Sequence, residues 1–266
     1  MDSQTELAVL SSDEYHHCCV KLANRLALPL LAPLDASQLV SCLYPYLLTY
    51  TAQGLALQQT GPKAAGPVVV DFLSGASQYR RRSGGGEMIV KAVGGNKQQL
   101  PYVLDATAGL GRDSFVLASW AYRVTALERS AVVASLLTDG LERAALSDDL
   151  ALQEVMARLQ MKHVDACEYL SGLQTQDWPD VIYIDPMFPV SKKSALVKKQ
   201  MRAFHQVVGA DQDSAQLLEL ALQSANYRVV VKRPKKAVFI ADKKPSFSLE
   251  GKAVRFDVYG LKSYKK

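Results

Sequence analysis

Between Pro101 and Lys232, short apolar runs alternate with amphipathic stretches of helical length. The runs are Val103 to Thr107, Tyr122 to Leu127, Met161 to Val164, Val181 to Ile184 and Tyr227 to Lys232. Val181 to Ile184 is apolar throughout, as expected of a strand buried on both faces. Ser130 stands before a stretch that puts Val132, Val133, Leu136, Leu137 and Leu141 on one helical face. Leu152, Val155, Met156 and Leu159 mark another helix, and further helices are expected over 195–208 and 213–225. Strands separated in this way by amphipathic helices predict an α/β fold with a mostly parallel, doubly wound sheet. Short strands near 237–240 and 253–259 are expected to close the chain.

The stretch before Pro101 reads differently. Residues 1–72 predict a small α/β segment. Thr5 to Leu10 is a candidate strand, and Ser11 and Glu14 have the spacing of a capping box. The helix after them would bury Cys18, Cys19, Leu22 and Leu26. Leu47 to Thr51 and Leu55 to Gln58 flank Ala52-Gln53-Gly54 as a hairpin, and Val68 to Phe72 is another strand. Residues 73–100 are expected to form a connecting loop and a helix, and residues 101–266 the main domain.

At 266 residues, with 48% hydrophobic and 21% charged residues, the chain can bury a sizeable core. No apolar run reaches the ~20 residues that span a bilayer. Met1 to Leu10 carries two acids and no basic residue, unlike a secretory signal. The four cysteines, Cys18, Cys19, Cys42 and Cys167, form no CxxC pair, and the four histidines are scattered. Free thiols in a reducing cytoplasm and no bound metal are the expectation.

Asp105-Ala106-Thr107-Ala108-Gly109-Leu110-Gly111 lies where the first strand of the main domain should become its first helix. Glycines there let the backbone approach a ligand at the carboxyl edge of the sheet. A Gly-x-Gly pair alone is equally compatible with a tight turn. Two acids add to it. Asp105 ends the strand before the glycines, and Glu128 ends the next strand, 19 residues after Gly109. That separation suits a carboxylate that binds ribose hydroxyls. A dinucleotide oxidoreductase would want a third glycine where Ser114 stands, and Asp105 would repel a pyrophosphate. An acid before the turn can instead accept from the ammonium of a methionine moiety, which favours S-adenosylmethionine. Asp165, after the third strand, is placed either to accept from an adenine amino group or to cap a helix.

Asp185-Pro186-Met187-Phe188-Pro189 directly follows the Val181–Ile184 strand. Pro186 restricts Asp185 to extended backbone, and Pro189 does the same for Phe188. Such a corner presents a carboxylate, a carbonyl and an aromatic face together. Asp185 and the Pro186 carbonyl can accept both hydrogens of an exocyclic amine, and Phe188 can stack on the base. Methyl transfer to such a nitrogen depends on near-attack positioning more than on strong acid–base chemistry. The reading requires the glycine turn and this corner to open onto the same edge.

These residues resemble Rossmann-like methyltransferases with an Asp/Asn-Pro-Pro-aromatic motif that modify base amino groups, with Met187 in place of the second proline. Asp105 to Asp113, Leu127 to Arg129, Asp185 to Pro189, Ser194 to Lys199 and Val229 to Pro234 are similar to the ribosomal RNA small-subunit methyltransferase J family. Val69 to Phe72 and Arg80 to Gly86 also resemble it, and the similarity spans residues 66–260. The resemblance implies a class I S-adenosylmethionine-dependent fold and N2-methylation of a guanosine in 16S ribosomal RNA. It places Arg112, Asp113, Glu128, Arg129, Asp165, Ala166 and Asp185 around the cofactor, with Asp105, Gly109 and Gly111 in the turn. The family often has small hydroxyl residues where Asp165 and Ala166 stand.

Charge is divided unevenly. Residues 1–185 hold 14 Lys and Arg against 20 Asp and Glu, whereas residues 186–266 hold 17 against 6. Lys192, Lys193, Lys198, Lys199, Lys232 and Arg233, followed by Lys235, Lys236, Lys243 and Lys244, come after the fourth and fifth strands. With Arg80, Arg81 and Arg82 they suggest, by clustering near one edge, an RNA track, the partner being 16S ribosomal RNA or the small ribosomal subunit, although any one pair taken alone is more often solvated surface. Other acceptors (a DNA adenine, a protein amide), an oxidoreductase and a non-catalytic RNA-binding protein are the competing readings.

Overall fold

The computed structural model describes residues 6–74, 88–95, 100–186 and 213–262. Arg80, Arg81, Arg82, Phe188, Lys192, Lys193, Lys198, Lys199 and the helix expected over 195–208 lie outside them.

The described residues form two sheets. The smaller has β1 (Leu7–Leu10), β2 (Leu30–Leu31), β3 (Tyr46–Thr51), β4 (Gly54–Gln59) and β5 (Val68–Val69) in the order β2-β1-β3-β4-β5. Helices α1 (His16–Leu26) and α2 (Ala36–Val40) accompany it. The hairpin turns at Ala52-Gln53 as expected. The capping box at Ser11 and Glu14 does not form. Ser11 is buried and its hydroxyl pairs with His16 Nδ1 at 2.8 Å, so α1 begins after Tyr15 without a side-chain cap. Cys18 is exposed and Leu26 only partly buried; Cys19, Leu22 and Ala23 form the inner face. A capping box does form at Asp35 and Gln38, where α2 starts.

The larger sheet contains β6 (Tyr102–Asp105), β7 (Arg123–Glu128), β8 (Leu159–His163), β9 (Val181–Ile184), β10 (Arg228–Pro234), β11 (Phe247–Glu250) and β12 (Val254–Gly260). Their order is β11-β12-β10-β9-β6-β7-β8. Strands β6 to β10 are parallel, and β12 runs antiparallel between β10 and β11. The strand expected near 237–240 is instead a loop containing a single 3-10 turn at Ile240–Asp242.

Alternate residues of each strand feed opposite faces. Leu104, Ile182, Ile184, Val229 and Val231 pack with α7 (Ala166–Ser171) and α8 (Ser214–Ser224). Val103, Val124, Val181, Tyr183 and Val230 face the other way, towards α3 (Met88–Val93), α4 (Arg112–Ser119), α5 (Ala131–Ala145) and α6 (Leu150–Met156). Ser130 caps α5 by accepting from Val133 N–H. The smaller sheet joins this second face, so Leu48, Leu55 and Leu57 share one core with Leu136 and Leu137. The junction is also polar: Leu55 N–H donates to Asp139 at 2.9 Å, and the Arg143 guanidinium donates to both Asp139 and the Val70 carbonyl.

The strand order reverses between β6 and β9, which leave the sheet side by side. A crevice at the carboxyl ends of such a reversal is where ligands bind in open α/β sheets.

Candidate active site

The turn after β6 is tied to both neighbouring strands. Ala106 N–H donates to the Tyr183 carbonyl and Ala108 N–H to the Leu127 carbonyl, each at 2.9 Å. Gly109 and Gly111 both have positive φ, 54° and 71°. Their surroundings differ. A Cβ on Gly109 would meet nothing within 4 Å, so this backbone faces open space. A Cβ on Gly111 would come within 2.6 Å of Leu137 Cδ1 and 3.4 Å of Phe72 Cζ, so this glycine allows α4 and α5 to pack. The open space belongs to a cleft at the carboxyl ends of β6, β7 and β9, bordered by Gly109, Glu128, Asp165 and Asp185.

Glu128 sits at the end of β7, almost fully buried. Its Oε2 accepts from Gly109 N–H at 3.0 Å and its Oε1 from Ser130 N–H at 2.7 Å. It also lines the cleft, where a carboxylate can accept from a ligand's hydroxyls. Asp165 caps α7, with Oδ1 accepting from Cys167 N–H at 2.8 Å and Glu168 N–H at 3.1 Å. It is therefore a helix cap that also lines the cleft, and the two sequence readings are compatible. Cys167 lines the cleft too, and burial pushes its thiol up to about 11, away from nucleophilic character.

Across the reversal, Asp185 N–H donates to Thr107 Oγ1 at 2.6 Å, joining the acid–proline corner to the glycine turn. Asp185 Oδ2 accepts from Lys232 Nζ at 2.8 Å. Lys232 Nζ also donates to Asp113 Oδ2 at 2.7 Å, and the Tyr183 hydroxyl donates to the same oxygen at 2.6 Å. Burial alone would lower the Lys232 ammonium, but Asp113 and Asp185 outweigh it and hold it above the usual lysine range.

Of the expected cofactor residues, the cleft is lined by Gly109, Glu128, Arg129, Asp165, Ala166 and Asp185, and Pro186 joins them. Four others stand behind it. Asp105 is 1% exposed and accepts from Ser114 Oγ and from Thr107 N–H, at 2.5 and 3.1 Å. Burial raises its carboxyl to about 7 against those hydrogen bonds. It anchors the turn and is not among the residues that line the cleft. Gly111 packs against α5, Arg112 is exposed on the first turn of α4, and Asp113 is engaged by Lys232 and Tyr183.

Lys232 and Arg233 do not belong to a solvent-facing RNA track. Lys232 is held between two carboxylates, and Arg233 is 5% exposed, donating to the Val238 carbonyl. The alternation of β10 sends the two side chains to opposite faces, both inward. Lys235 and Lys243 are exposed but paired, with Glu250 at 3.0 Å and Glu219 at 2.8 Å, while Lys236 and Lys244 are exposed. Thr107 and Asp213 escaped the sequence reading. Thr107 lies inside the turn motif, where only its hydroxyl marks it. Asp213 pairs with Arg129 at 3.1 Å, and its place just before α8 was the available signal. Among the described residues no group of His, Cys, Asp or Glu could hold a metal, and no helix is long and apolar enough to cross a membrane.

The seven-strand order, the glycine turn at its reversal and the acids that end successive strands define a class I S-adenosylmethionine-dependent methyltransferase. Residues 37–261 match the family model described as "Putative SAM-dependent methyltransferase". The chain is 47% identical over 261 residues to the ribosomal RNA small subunit methyltransferase J of Cellvibrio japonicus, covering 96% of this chain and 97% of that protein. It is 48% identical over 244 residues to the protein of the same name from Coxiella burnetii, covering 91% of each. The crystal structure of a SAM-dependent methyltransferase from Neisseria gonorrhoeae superposes with a TM-score of 0.72 at 40% identity, covering 95% of both chains. The chain belongs to the ribosomal RNA small subunit methyltransferase J family, and S-adenosylmethionine is its cofactor.

Proposed function

We propose that this enzyme methylates the exocyclic N2 amine of a guanosine in 16S ribosomal RNA, acting in the cytoplasm on the small ribosomal subunit or its RNA. Glu128 accepts from the cofactor's ribose hydroxyls, Asp165 and Ala166 border its adenine, and the open backbone at Gly109 gives it room. Arg129 braces the adjoining wall through Asp213. When bound, S-adenosylmethionine supplies an electrophilic methyl group on a sulfonium.

Asp185 and the Pro186 carbonyl accept the two amine hydrogens, which directs the nitrogen lone pair into the cleft. Phe188, expected from the sequence to stack on the base, lies outside the described residues. A base reaches this corner only when it is out of a helical stack, so a flipped or loop guanine is the substrate. The observation that carries the reading is the Asp185 N–H to Thr107 Oγ1 bond, which ties the first residue of the amine corner to the cofactor turn. A small-subunit ribosomal RNA acceptor is supported by the names of relatives at 47–48% identity, and the guanosine N2 amine by the resemblance of the sequence motifs.

The test is transfer from methyl-labelled cofactor to small subunits and to free 16S RNA, both from cells lacking this gene, followed by nucleoside analysis. Label in N2-methylguanosine is the expected result. Label in another nucleoside, or in ribosomal protein, would overturn the assignment of the acceptor.

A further inference from the structure

We propose that Lys232 is a positioning residue for methyl transfer, clamping the Asp185 carboxylate in its amine-accepting orientation while Asp113 and Tyr183 hold the clamp. The inference rests on the reading of Asp185 as the amine acceptor. Four groups from three elements converge here. Lys232 comes from β10, Tyr183 precedes Asp185 on and beyond β9, and Asp113 comes from the first turn of α4.

Lys232 Nζ lies 2.8 Å from Asp185 Oδ2 and 2.7 Å from Asp113 Oδ2, and the Tyr183 hydroxyl donates to Asp113 Oδ2 at 2.6 Å. Tyr183 is fully buried, while the Lys232, Asp113 and Asp185 side chains are 24%, 28% and 37% exposed, so the cluster lies at the edge of the core and is partly screened by water. Each partner limits the motion of the next. Tyr183 is fixed in the sheet core, it fixes one Asp113 oxygen, and that oxygen with Asp185 fixes the ammonium. A carboxylate tied at one oxygen loses rotation about its χ angles, and the other acceptor sites keep one direction. An amine whose lone pair must face a methyl group needs that constancy.

The clamp also sets charge. Among the described residues, the titratable and charged groups facing Lys232 and Asp185 are Asp113 on α4, Tyr183 on β9 and Asp105 at the end of β6. Without the ammonium, Asp113 and Asp185 would face each other as like charges, with Asp105 behind them. One of them would then take up a proton more readily. The ammonium at 2.8 Å offsets that repulsion, and its removal is expected to show in the pH dependence as well as in the rate.

The experiment measures kcat, KM for both substrates and the acid limb of the kcat–pH profile. In Lys232→Met, kcat is expected to fall roughly 10²-fold, with S-adenosylhomocysteine affinity kept within about threefold. The acid limb should move up by about one pH unit or more. Asp113→Asn removes a negative charge from the same cluster, so its acid limb should move down. The opposite signs are the signature, because general loss of packing would not produce them. Should Lys232→Met fail to fold, Asp113→Asn alone decides. An unmoved acid limb in Asp113→Asn, or in a folded Lys232→Met, would overturn the clamp. Asp185→Ala in the same assay separates the layers: full activity there would remove the amine-acceptor reading itself. An inactive Asp185→Ala beside an unmoved limb in the Lys232 variant would overturn only the role of Lys232.

Discussion

The two halves of the cleft hold their acids by different means. On the β6–β8 side, Glu128 accepts from the backbone N–H groups of Gly109 and Ser130, and Asp165 from those of Cys167 and Glu168. On the β9–β10 side, Asp185 and Asp113 are held by the side chains of Lys232 and Tyr183. Backbone donors are fixed by the fold and lie 2 to 19 residues from the acids they serve. Side-chain donors reach across the sheet, with Lys232 lying 47 residues from Asp185 and 119 from Asp113. The first arrangement suits a ligand that must simply be bound. The second suits an acid whose charge and direction must be tuned for the chemical step.

If the halves divide the work in this way, variants on each should fail differently. The largest effect is expected in Asp185→Ala. Removing the amine acceptor should lower the methyl-transfer rate roughly 10²–10³-fold, as measured in single-turnover assays with saturating cofactor. Glu128→Ala should act on binding instead. Loss of charge-assisted contacts, and release of the Gly109 and Ser130 N–H groups, should weaken S-adenosylhomocysteine by about 10–10²-fold in calorimetry.

The two glycines sharpen the contrast within the turn. Gly111→Ala meets Leu137 at 2.6 Å and keeps a positive φ, so urea unfolding should show a loss of about 2–4 kcal/mol. Gly109→Ala has the strain without the clash, so its loss of stability should be about 1 kcal/mol. Its Cβ enters the cleft, so the greater damage should appear in cofactor affinity.

The effect at Asp105 is read against pH rather than at a single condition. Its carboxyl is raised from 3.8 to about 7 in the folded state, chiefly by burial, so the folded protein binds more protons than the unfolded chain between those values. Its contribution to stability is therefore greatest below about pH 4, declines as the pH rises towards 7, and is level above that. Asp105→Asn should lack this decline, and urea midpoints measured from pH 5 to pH 8 would show it.

The same contrast explains what the sequence revealed. Val181–Ile184 was plain because a strand buried on both faces is apolar without interruption. Ser130 was plain because a helix cap is local, and Glu128 because its spacing from the glycines follows from one strand–helix–strand unit. The β11 strand escaped because Phe247–Glu250 lies at the edge of the sheet, partly exposed, and carries no burial pattern. Asp35 and Gln38 have the capping-box spacing and cap α2, whereas Ser11 and Glu14 have the same spacing and do not cap, because the Ser11 hydroxyl is engaged by His16. Lys232 and Arg233 looked like two members of a basic run. Only the pairing of β10 with β9 and β12 shows that one meets Asp185 and the other turns into the core. Sequence proximity among cations says nothing about whether an acid waits across the sheet.

The division of labour is tested most directly by measuring cofactor affinity and single-turnover methyl transfer side by side in Glu128→Ala and Asp185→Ala. A crossed pattern is expected: the Glu128 variant loses affinity yet approaches the normal rate when saturated, and the Asp185 variant keeps affinity and loses the rate. If both variants lost the same quantity, or if the Asp185 variant methylated at the normal rate, the assignment of binding to one edge and chemistry to the other would be contradicted.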